Sequence, residues 1–398
     1  MTVMLMTDMP PCKNYTAGIV LNILCGFLLD AGHSVCCFAT TSEYLPHAPE
    51  IPEDKISRMK FAYATMPREN HGHRAPHFLS SFIGNNRAAL FDIPPIAKKI
   101  AAFSKENKVD FIWSIVQGQT TIRLASRVVR ITKLPYAVHI WDPPGWWLRG
   151  NRFDKITTKW VLNKFEKIVR KSSCCISASW AMSEEYIRRY RCKKSVPVIL
   201  GFEPRRVEPQ EDKNHNCFVI AFSGQSYASE ELNCLIVALC TLGWQHEGKD
   251  VVLRLYGREF QLTFAKDARI EMRGWVPYEQ MIIELAGADL LYCPYWFTAV
   301  FEEEARLSFP SKLTTYFKTA VPVLFHGPAY SSPRQFIEKN GCSYIADSLD
   351  SEVMAETLRF ILTDRNRATM GEKGYQAFLK HLTLDKMREN FFEALSIK

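Results

Sequence analysis

One segment in the second half of the chain has the residue types of a phosphate-binding site. Ser308–Lys312 (SFPSK) precedes an apolar-periodic run that contains Thr315, which predicts a loop leading into a helix. The first backbone N–H groups of a helix have no partner within it, so hydroxyls and a lysine at this point favour a bound anion. Arg306 would add a second cation. The alternative is an ordinary loop-to-helix junction with a solvated lysine.

A second candidate lies in the first half, where Leu134–Leu148 reads LPYAVHIWDPPGWWL. The run predicts a buried strand that ends near Asp142 and is followed by an aromatic loop. His139, on the same strand, either helps to orient a ligand or is a satisfied histidine of the core. Three tryptophans either stack on a sugar ring, anchor at a lipid headgroup layer or pack between domains: Trp141, Trp146 and Trp147.

The elements that would position these groups alternate between strands and helices. In the first half, strand Val3–Met6, helix Ile19–Leu29 and strand Ser34–Ala39 form a βαβ unit. A polar stretch at 201–216, GFEPRRVEPQEDKNHN, separates this series from a second one that starts at strand Phe218–Phe222. We therefore predict an α/β protein with two tandem Rossmann-like, doubly wound domains and a ligand site in the cleft between them. The stretch Pro46–His77 is predicted to be irregular.

Composition excludes several classes of protein. With 398 residues, 47% of them hydrophobic and 23% charged, the chain is neither disordered, collagen-like nor a small disulfide scaffold. Its longest apolar stretch, Gly18–Leu29, has 12 residues, whereas a membrane span needs about 20. The N-terminus lacks the pattern of a signal peptide, and the cysteines form no CxxC pair. We expect buried thiols and a cytoplasmic protein, peripheral on the inner face of the cytoplasmic membrane.

The charge is unevenly distributed. The net charge of +8 divides into +13 for residues 1–200 and −5 for the rest. The run Arg149–Lys171 holds eight basic residues against two acidic ones, with apolar residues between them. A basic amphipathic helix of this kind suits an anionic membrane surface, and a solvated helix face is the alternative. No nucleic-acid-binding motif accompanies it. His71, His73 and His77 lack the spacing of metal ligands, and no metal site is predicted.

The string SFPSKLTTYFKTAVPVLFHGP, at 308–328, resembles the donor-site signature of family 4 retaining glycosyltransferases of the GT-B fold. In that family a Pro-x-Lys-Leu-x-Glu-Tyr helix precedes Gly-x-Pro-Val. Four further features match in the same order: Gly224, Tyr256–Arg258, Arg273–Pro277 and Ala288–Pro294. Matches in the first half are Gly18 and the stretch Pro135–Asp142.

The resemblance implies a metal-independent hexosyltransferase of polysaccharide biosynthesis that uses no cofactor. A UDP- or GDP-linked sugar is the donor, and a glycan or lipid-linked molecule is the acceptor. Residues 1–200 would bind the acceptor and 201–378 the nucleotide sugar, while a helix in 379–398 packs back on the first domain. The implied catalytic residues are His139, Asp142, Arg306 and Lys312. The implied donor-binding residues are Gly18, Gly224, Arg258, Trp275, Val276, Glu304, Ser308, Phe309, Pro310, Ser311, Leu313 and Thr315. The implied acceptor or membrane residues are Trp141, Trp146, Trp147, Arg149 and Arg152.

Two departures from the family pattern keep other functions open. Thr315 stands where the family has a ribose-binding glutamate, and Leu307 stands at the matching first position. The segment Ser223–Glu230 lacks the usual arginine and lysine. A catalytically weak nucleotide- or glycan-binding protein is one alternative. A nucleotide-sugar epimerase or hydrolase on the same scaffold is the other.

Overall fold

The chain folds into two units, each built around a parallel sheet. The computed structural model describes residues 1–40, 48–66, 78–209, 217–225, 227–257, 260 and 268–397. Unit 1 comprises Met1–Val198 and Arg388–Lys398, and unit 2 comprises Ile199–Met387. Arg258 and the histidines at 71, 73 and 77 lie outside the described residues, so their predicted roles stay predictions.

Unit 1 alternates strands with helices along most of its length. Its elements are β1 (Thr2–Thr7), α1 (Thr16–Asp30), β2 (Ser34–Ala39), β3 (Lys60–Tyr63), α2 (Phe78–Arg87), α3 (Ile93–Glu106), β4 (Phe111–Ile115), α4 (Gly118–Thr132), β5 (Tyr136–Ile140), α5 (Pro144–Gly150), α6 (Lys155–Lys171), β6 (Cys174–Ser177), α7 (Trp180–Tyr190) and β7 (Ser195–Pro197). Short turns of 3₁₀ and π helix occupy Lys55–Arg58 and Ala88–Asp92.

The sheet of unit 1 has the strand order β3-β2-β1-β4-β5-β6-β7, and every pairing in it is parallel. Its central strands are buried on both faces, because helices cover both sides of a parallel sheet. Val3, Ile112 and Val138 have no exposed surface. The order reverses between β1 and β4, and the carboxyl ends of the strands at such a switch point form a crevice for ligands.

Unit 2 repeats the alternation. Its elements are β8 (Cys217–Ser223), α8 (Ser229–Thr241), β9 (Gln245–His246), β10 (Lys249–Tyr256), β11 (Ile270–Gly274), α9 (Tyr278–Ala286), β12 (Leu290–Pro294), α10 (Glu302–Leu307), α11 (Ser311–Lys318), β13 (Val323–His326), α12 (Ser332–Asn340), β14 (Tyr344–Ala346), α13 (Ser351–Thr363), α14 (Arg367–His381) and α15 (Leu384–Leu395). From Arg388 onward, α15 belongs to unit 1, where Phe391 packs on Trp113 with ring centres 4.8 Å apart.

The sheet of unit 2 has the order β11-β10-β8-β12-β13-β14, again parallel, with β9 antiparallel on the outer side of β10. Its switch point lies between β8 and β12. Ile220, Leu253 and Leu290 form part of a core with α8 and α13. The predicted α/β fold of two Rossmann-like domains is confirmed, and both sheets have the strand order that creates a crevice at their carboxyl ends.

Two local predictions are wrong. The stretch predicted to be irregular contains β3, an edge strand of four residues that pairs only with β2 and carries too little alternation to be recognised. The basic run Arg149–Lys171 is two helices rather than one. The break occurs because Arg152 adopts a left-handed conformation (φ 53°) and Asp154 caps α6, accepting a hydrogen bond from the Thr157 backbone N–H at 2.7 Å.

Candidate functional site

Two glycine turns meet at the carboxyl edge of the unit 2 sheet. Gly224 follows β8 with a φ of +111°, and its N–H donates to the carbonyl of Tyr256 at 2.8 Å. Gly257 follows β10 with a φ of +156°, and a side chain there would collide with the Gly224 carbonyl. The two backbones therefore pack directly on each other, which leaves the crevice above β8 lined by main chain.

Lys312 lies on this pair of turns, in the first turn of α11. Its ammonium group is 3.4 Å from the carbonyl oxygen of Gln225, 3.9 Å from the centre of the Tyr227 ring and 4.4 Å from that of Phe222. A Cβ atom on Gly224 would stand 2.5 Å from Cε of the lysine. Any side chain at position 224 would displace Lys312 from this position. The two residues, 88 positions apart in the sequence, therefore form one contact.

The charge of Lys312 is poorly compensated. Burial lowers the pKa of its ammonium group to about 7. Among the described residues, no carboxylate forms an ion pair with it. Cys293 is nearby, but burial raises the pKa of that thiol to about 12, so at neutral pH it carries no charge. An anion placed beside the ammonium group would supply the missing counter-charge and raise the pKa of the lysine again.

The start of α11 is open to a ligand. Pro310 occupies the N-cap position, and no side chain caps this helix end, so the amides of Ser311 and Lys312 keep their hydrogen-bonding capacity. Ser311 is exposed, whereas Leu313 is fully buried and anchors the helix. Before it, Phe309 packs on Phe336, with ring centres 5.2 Å apart, and the carbonyl of Ser308 accepts a hydrogen bond from the Tyr295 hydroxyl at 3.2 Å.

Tyr316 fixes α11 to the end of β8. Its hydroxyl oxygen accepts a hydrogen bond from the backbone N–H of Ser223 at 2.8 Å, and the ring is fully buried. Sequence reasoning did not select Tyr316, Tyr227 or Phe222 as site residues. Tyr316 could have been selected, because it matches the tyrosine of the family's helix motif. Nothing in the sequence marked Phe222 and Tyr227, because their role depends on where Lys312 lies in the fold.

Thr315 lies on α11 and Glu304 on α10. Thr315 is buried, and its hydroxyl donates to the backbone carbonyl of Ser311 at 3.5 Å. Burial raises the pKa of Tyr278 to about 12, and an interaction with Thr315 lowers it by a smaller amount. Burial also raises the pKa of Tyr227, and the negative charge of nearby Glu304 adds a smaller contribution.

Arg306, the second predicted cation, is engaged elsewhere. It is exposed, it pairs with Glu302 one helical turn away at 2.8 Å, and its guanidinium lies 4.3 Å from the centre of the Tyr330 ring. None of its described contacts is with the residues around Lys312. The predicted base-binding residues follow β11: Trp275 is 65% exposed, and Val276 is half-buried. They continue from Gly274, whose carbonyl accepts from the N–H of Gly257 at 2.8 Å.

In unit 1, His139 is enclosed between two indoles. It has no exposed surface, and burial lowers its pKa to about 3, so the ring is neutral. The N–H groups of Trp141 and Trp113 point at its two ring nitrogens, at 3.0 Å and 3.3 Å. A neutral imidazole accepts at only one nitrogen, so one of these contacts is a hydrogen bond at a time. This is the arrangement of a satisfied histidine in the core.

Asp142 lies just beyond the carboxyl end of β5. It is half-buried, burial raises its pKa to about 6, and it accepts a hydrogen bond from the Gln117 side chain at 3.2 Å. Gly18 was predicted to let a diphosphate approach, and that role stays a prediction. The space beside its Cα is filled by Cys12 and by the carbonyl of Pro10. The lack of a side chain at this position is therefore also needed for the packing of its own turn.

The predicted acceptor or membrane residues do not form one exposed aromatic patch. Trp141, Trp146 and Trp147 are all half-buried, and the ring of Trp147 packs on Phe153 with centres 5.3 Å apart. Arg149 and Arg152 are exposed. The most exposed indole of this region, 48% accessible, belongs to Trp160 on α6, which the sequence reasoning did not single out as a site residue.

The described residues show neither a metal-binding cluster nor a membrane-spanning helix. They contain no group of three or more histidine, cysteine, aspartate or glutamate side chains that could hold a metal ion. Every helix in the described ranges is too short or too polar to cross a membrane.

Comparison with known proteins gives similarity in structure but not in sequence. No family model matches the chain, and no curated protein matches it. Sucrose-phosphate synthase from Thermosynechococcus elongatus is 13% identical, with a TM-score of 0.70 over 99% of this chain and 98% of its own. Anabaena Alr3699/HepE, solved in complex with UDP, is 14% identical, with a TM-score of 0.66 over 100% of both chains. WaaG, a glycosyltransferase involved in lipopolysaccharide biosynthesis, is 12% identical, with a TM-score of 0.63 over 99% of both chains. The chain therefore has the GT-B fold of glycosyltransferases, as the family resemblance of its sequence implied.

Proposed function

We propose that this protein is a retaining glycosyltransferase that moves a hexose from a nucleotide diphosphate sugar to a glycan or lipid-linked acceptor. The observation that carries the proposal is the ammonium group of Lys312, held against the Gly224 turn and two aromatic rings at the uncapped start of α11. Support comes from Alr3699/HepE, a structural neighbour solved in complexes with UDP and UDP-glucose. A diphosphate in the unit 2 crevice would supply the negative counter-charge for the ammonium group of Lys312.

The chemistry follows from the charge that develops during transfer. The bond between the sugar C1 and the β-phosphate oxygen breaks, and negative charge accumulates on the departing phosphate. Lys312 and the amides at the start of α11 stabilise that charge without a metal ion or cofactor. In the family that the sequence resembles, the acceptor hydroxyl attacks the same face of the sugar and passes its proton to the leaving phosphate. Arg306 and Arg258 stay candidates for added positive charge.

The nucleoside would lie along the same edge of the unit 2 sheet. Trp275 and Val276 follow the second glycine turn and would contact the base. The hydroxyl of Thr315 is the group proposed to bind the ribose where the family has a glutamate. Glu304 is the carboxylate proposed to contact the sugar. The donor is UDP- or GDP-linked.

In unit 1, Asp142 is the residue proposed to orient the transferred sugar. Its carboxyl lies at the carboxyl edge of the sheet, and Gln117 holds it. His139 would act behind it, as a positioning residue that supports Trp141. The net charge of +13 in residues 1–200 favours an acceptor that carries phosphate or acidic sugars. We further propose peripheral association with an anionic membrane surface in the cytoplasm, and a role in polysaccharide biosynthesis.

A thermal-shift panel of UDP, GDP, ADP and CMP tests the proposal. Stabilisation by UDP or GDP, together with slow hydrolysis of the corresponding nucleotide sugar, is the expected result. Stabilisation without turnover would favour a catalytically weak nucleotide-binding protein, the second candidate, which the presence of Thr315 in place of glutamate supports. No response to any nucleotide would contradict both functions.

A further inference from the structure

A groove of about 350 Å³ lies on the surface of unit 1. Residues of α4 and α6 line it: Arg123, Trp160, Asn163, Lys164 and Lys167. None of them belongs to the donor or acceptor residues considered above. The groove thus combines one indole and one amide with three cationic side chains.

Positive charge is concentrated around this groove. Arg123 is 5% exposed, and its guanidinium donates to the side-chain oxygen of Asn86 at 3.2 Å, which fixes its position. The charges that act on Lys164 are all cationic, those of Arg123, Arg127, Arg130 and Lys167. Among the described residues, no carboxylate forms an ion pair with Lys164 or Lys167. The nearby Glu166 is paired with Arg170, at 3.6 Å. A cluster of like charges around a concave surface attracts an anion.

The rim of the groove is apolar and exposed. Trp160 is 48% accessible, and Ile156, one turn before it on α6, is 47% accessible. Helix α2 packs on α6 through Phe82, whose ring centre lies 6.1 Å from that of Trp160. On α2 and the π-helical turn after it, four large apolar side chains are 55–66% exposed: Leu79, Ile83, Leu90 and Phe91. Apolar side chains grouped on adjoining helices are typical of a binding surface, whereas those scattered singly are not.

We propose that this groove binds the phosphate of an anionic phospholipid headgroup, while the exposed apolar side chains of α2 and the turn after it enter the interfacial layer of the bilayer. The occupant is a lipid and not a free phosphate, because a soluble anion would use the cations of the groove and leave its apolar rim exposed to water. The inference rests on the peripheral membrane association proposed above and gives it a site. The orienting contact is Arg123, held by Asn86, and the lysines of α6 supply the remaining charge.

Vesicle binding by the full-length protein tests the proposal. Vesicles of phosphatidylcholine mixed with phosphatidylglycerol are compared with vesicles of phosphatidylcholine alone. The test variant is Lys164→Gln/Lys167→Gln, and its matched control is Lys373→Gln/Lys380→Gln, which removes the same charge from two exposed lysines of α14 in unit 2. Partitioning onto the anionic vesicles should fall about 30-fold for the test variant. It should fall less than about threefold for the control, whose lysines lie outside the groove.

A second pair of variants tests the apolar rim. Leu79→Ser/Ile83→Ser should reduce partitioning, whereas Val237→Ser/Val353→Ser, exposed valines of unit 2, should not. All four variants should keep the thermal shift that UDP or GDP produces, which shows that they are folded. Glycerol 3-phosphate, the headgroup phosphate without acyl chains, is the soluble competitor.

Each contrary result has a distinct meaning. Equal losses in the two lysine pairs would overturn the groove as the site and leave membrane association in place. Failure of the unaltered protein to bind anionic vesicles would overturn both the groove as the lipid site and the proposed membrane association. Tight binding of glycerol 3-phosphate without vesicle binding would show that the groove takes a soluble phosphate, which contradicts the lipid. None of these outcomes affects the proposed transfer reaction, which the nucleotide panel tests independently.

Discussion

The ammonium group of Lys312 lies 3.9 Å from the centre of the Tyr227 ring, on the face of a glycine turn that has no room for a side chain. Aromatic faces attract a cation, but more weakly than water and a counter-ion do together. The site thus holds the lysine in place but disfavours its charged form, which lowers the pKa of the ammonium group. A bound diphosphate would stabilise the charged form, and this expectation leads to the predictions below.

The first prediction concerns the stability of the unliganded protein. Because the folded-state pKa of Lys312 is about 7, below the ordinary value of 10.5, the unfolded chain binds more protons between these two pH values. Stability of the unaltered protein should therefore rise with pH over this window. Lys312→Met lacks the buried charge, and a gain of about 1 kcal/mol at pH 7 would raise its Tm by about 2–4 °C. Melting curves at several pH values measure both effects. A variant less stable than the parent at pH 7 would contradict the account.

The second prediction is the pH dependence of donor binding. A bound diphosphate raises the pKa of Lys312 above its free value of about 7, so binding takes up a proton in the alkaline range. The affinity for UDP-glucose should be constant below pH 7. It should then fall by up to about tenfold per pH unit until the bound-state pKa is passed. Titration calorimetry in buffers of different ionisation enthalpy measures the proton uptake. The same affinity from pH 7 to pH 9 would exclude Lys312 as the titrating group.

The third prediction separates the Gly224 contact from backbone strain. Gly224→Ala introduces a Cβ that would meet the Lys312 side chain at 2.5 Å, in a conformation with a φ of +111°. Gly243→Ala also places an L residue at positive φ, here +63° in the left-handed helical region, and nothing lies within 4 Å of the added atom. It should lose about 1–2 kcal/mol of stability, and Gly224→Ala should lose more, because its φ lies outside that region. Only the first should lose nucleotide binding, measured by titration. Equal affinities would show that the glycine matters for the backbone alone.

The fourth prediction tests the link between α11 and β8. Tyr316→Phe leaves the buried N–H of Ser223 without its acceptor, which should cost about 1–3 kcal/mol of stability. It should also weaken nucleotide binding, because the start of α11 is no longer fixed to the glycine turn. Tyr136→Phe removes a buried hydroxyl that donates to Ile168 in unit 1. This control should be destabilised with an unchanged affinity for nucleotide. Parallel loss of affinity in both variants would point to a general effect of instability.

The sequence was most informative where the chemistry is local. The start of α11, the apolar strands and the alternation of elements follow from short-range patterns, and strand β2 was predicted at the bounds Ser34–Ala39 that the structure has. The role of Gly224 depends on a lysine 88 residues later, so it could be reached only through the family resemblance. For Gly18, the sequence did not indicate that a side chain there would collide with Cys12 of its own turn. Contacts made in the folded chain, and not short sequence patterns, determine what surrounds each of these glycines.

The roles of charged residues were also hard to predict, because they depend on contacts that the sequence does not reveal. Arg306 was chosen as a cation for the phosphate because it is close to Lys312 in sequence. In the structure, Glu302 and Tyr330 bind it, and such an i, i+4 pairing is an ordinary property of a helix surface. The basic run that ends at Lys171 was recognised, but its groove was not, because Arg123 comes from a different helix.

The most direct test of the central claim is the affinity for UDP and GDP of Lys312→Met against that of Lys318→Met, measured by titration calorimetry at pH 7. Lys318 lies on the same helix, and its ammonium group faces the Phe202 ring at 5.3 Å, so the control makes the same chemical change outside the crevice. Loss of a charge-assisted contact should weaken binding of the preferred nucleotide by about 10- to 100-fold in the first variant. The second should bind it as the parent does. Equal affinity in all three proteins would contradict the assignment of Lys312 to the diphosphate.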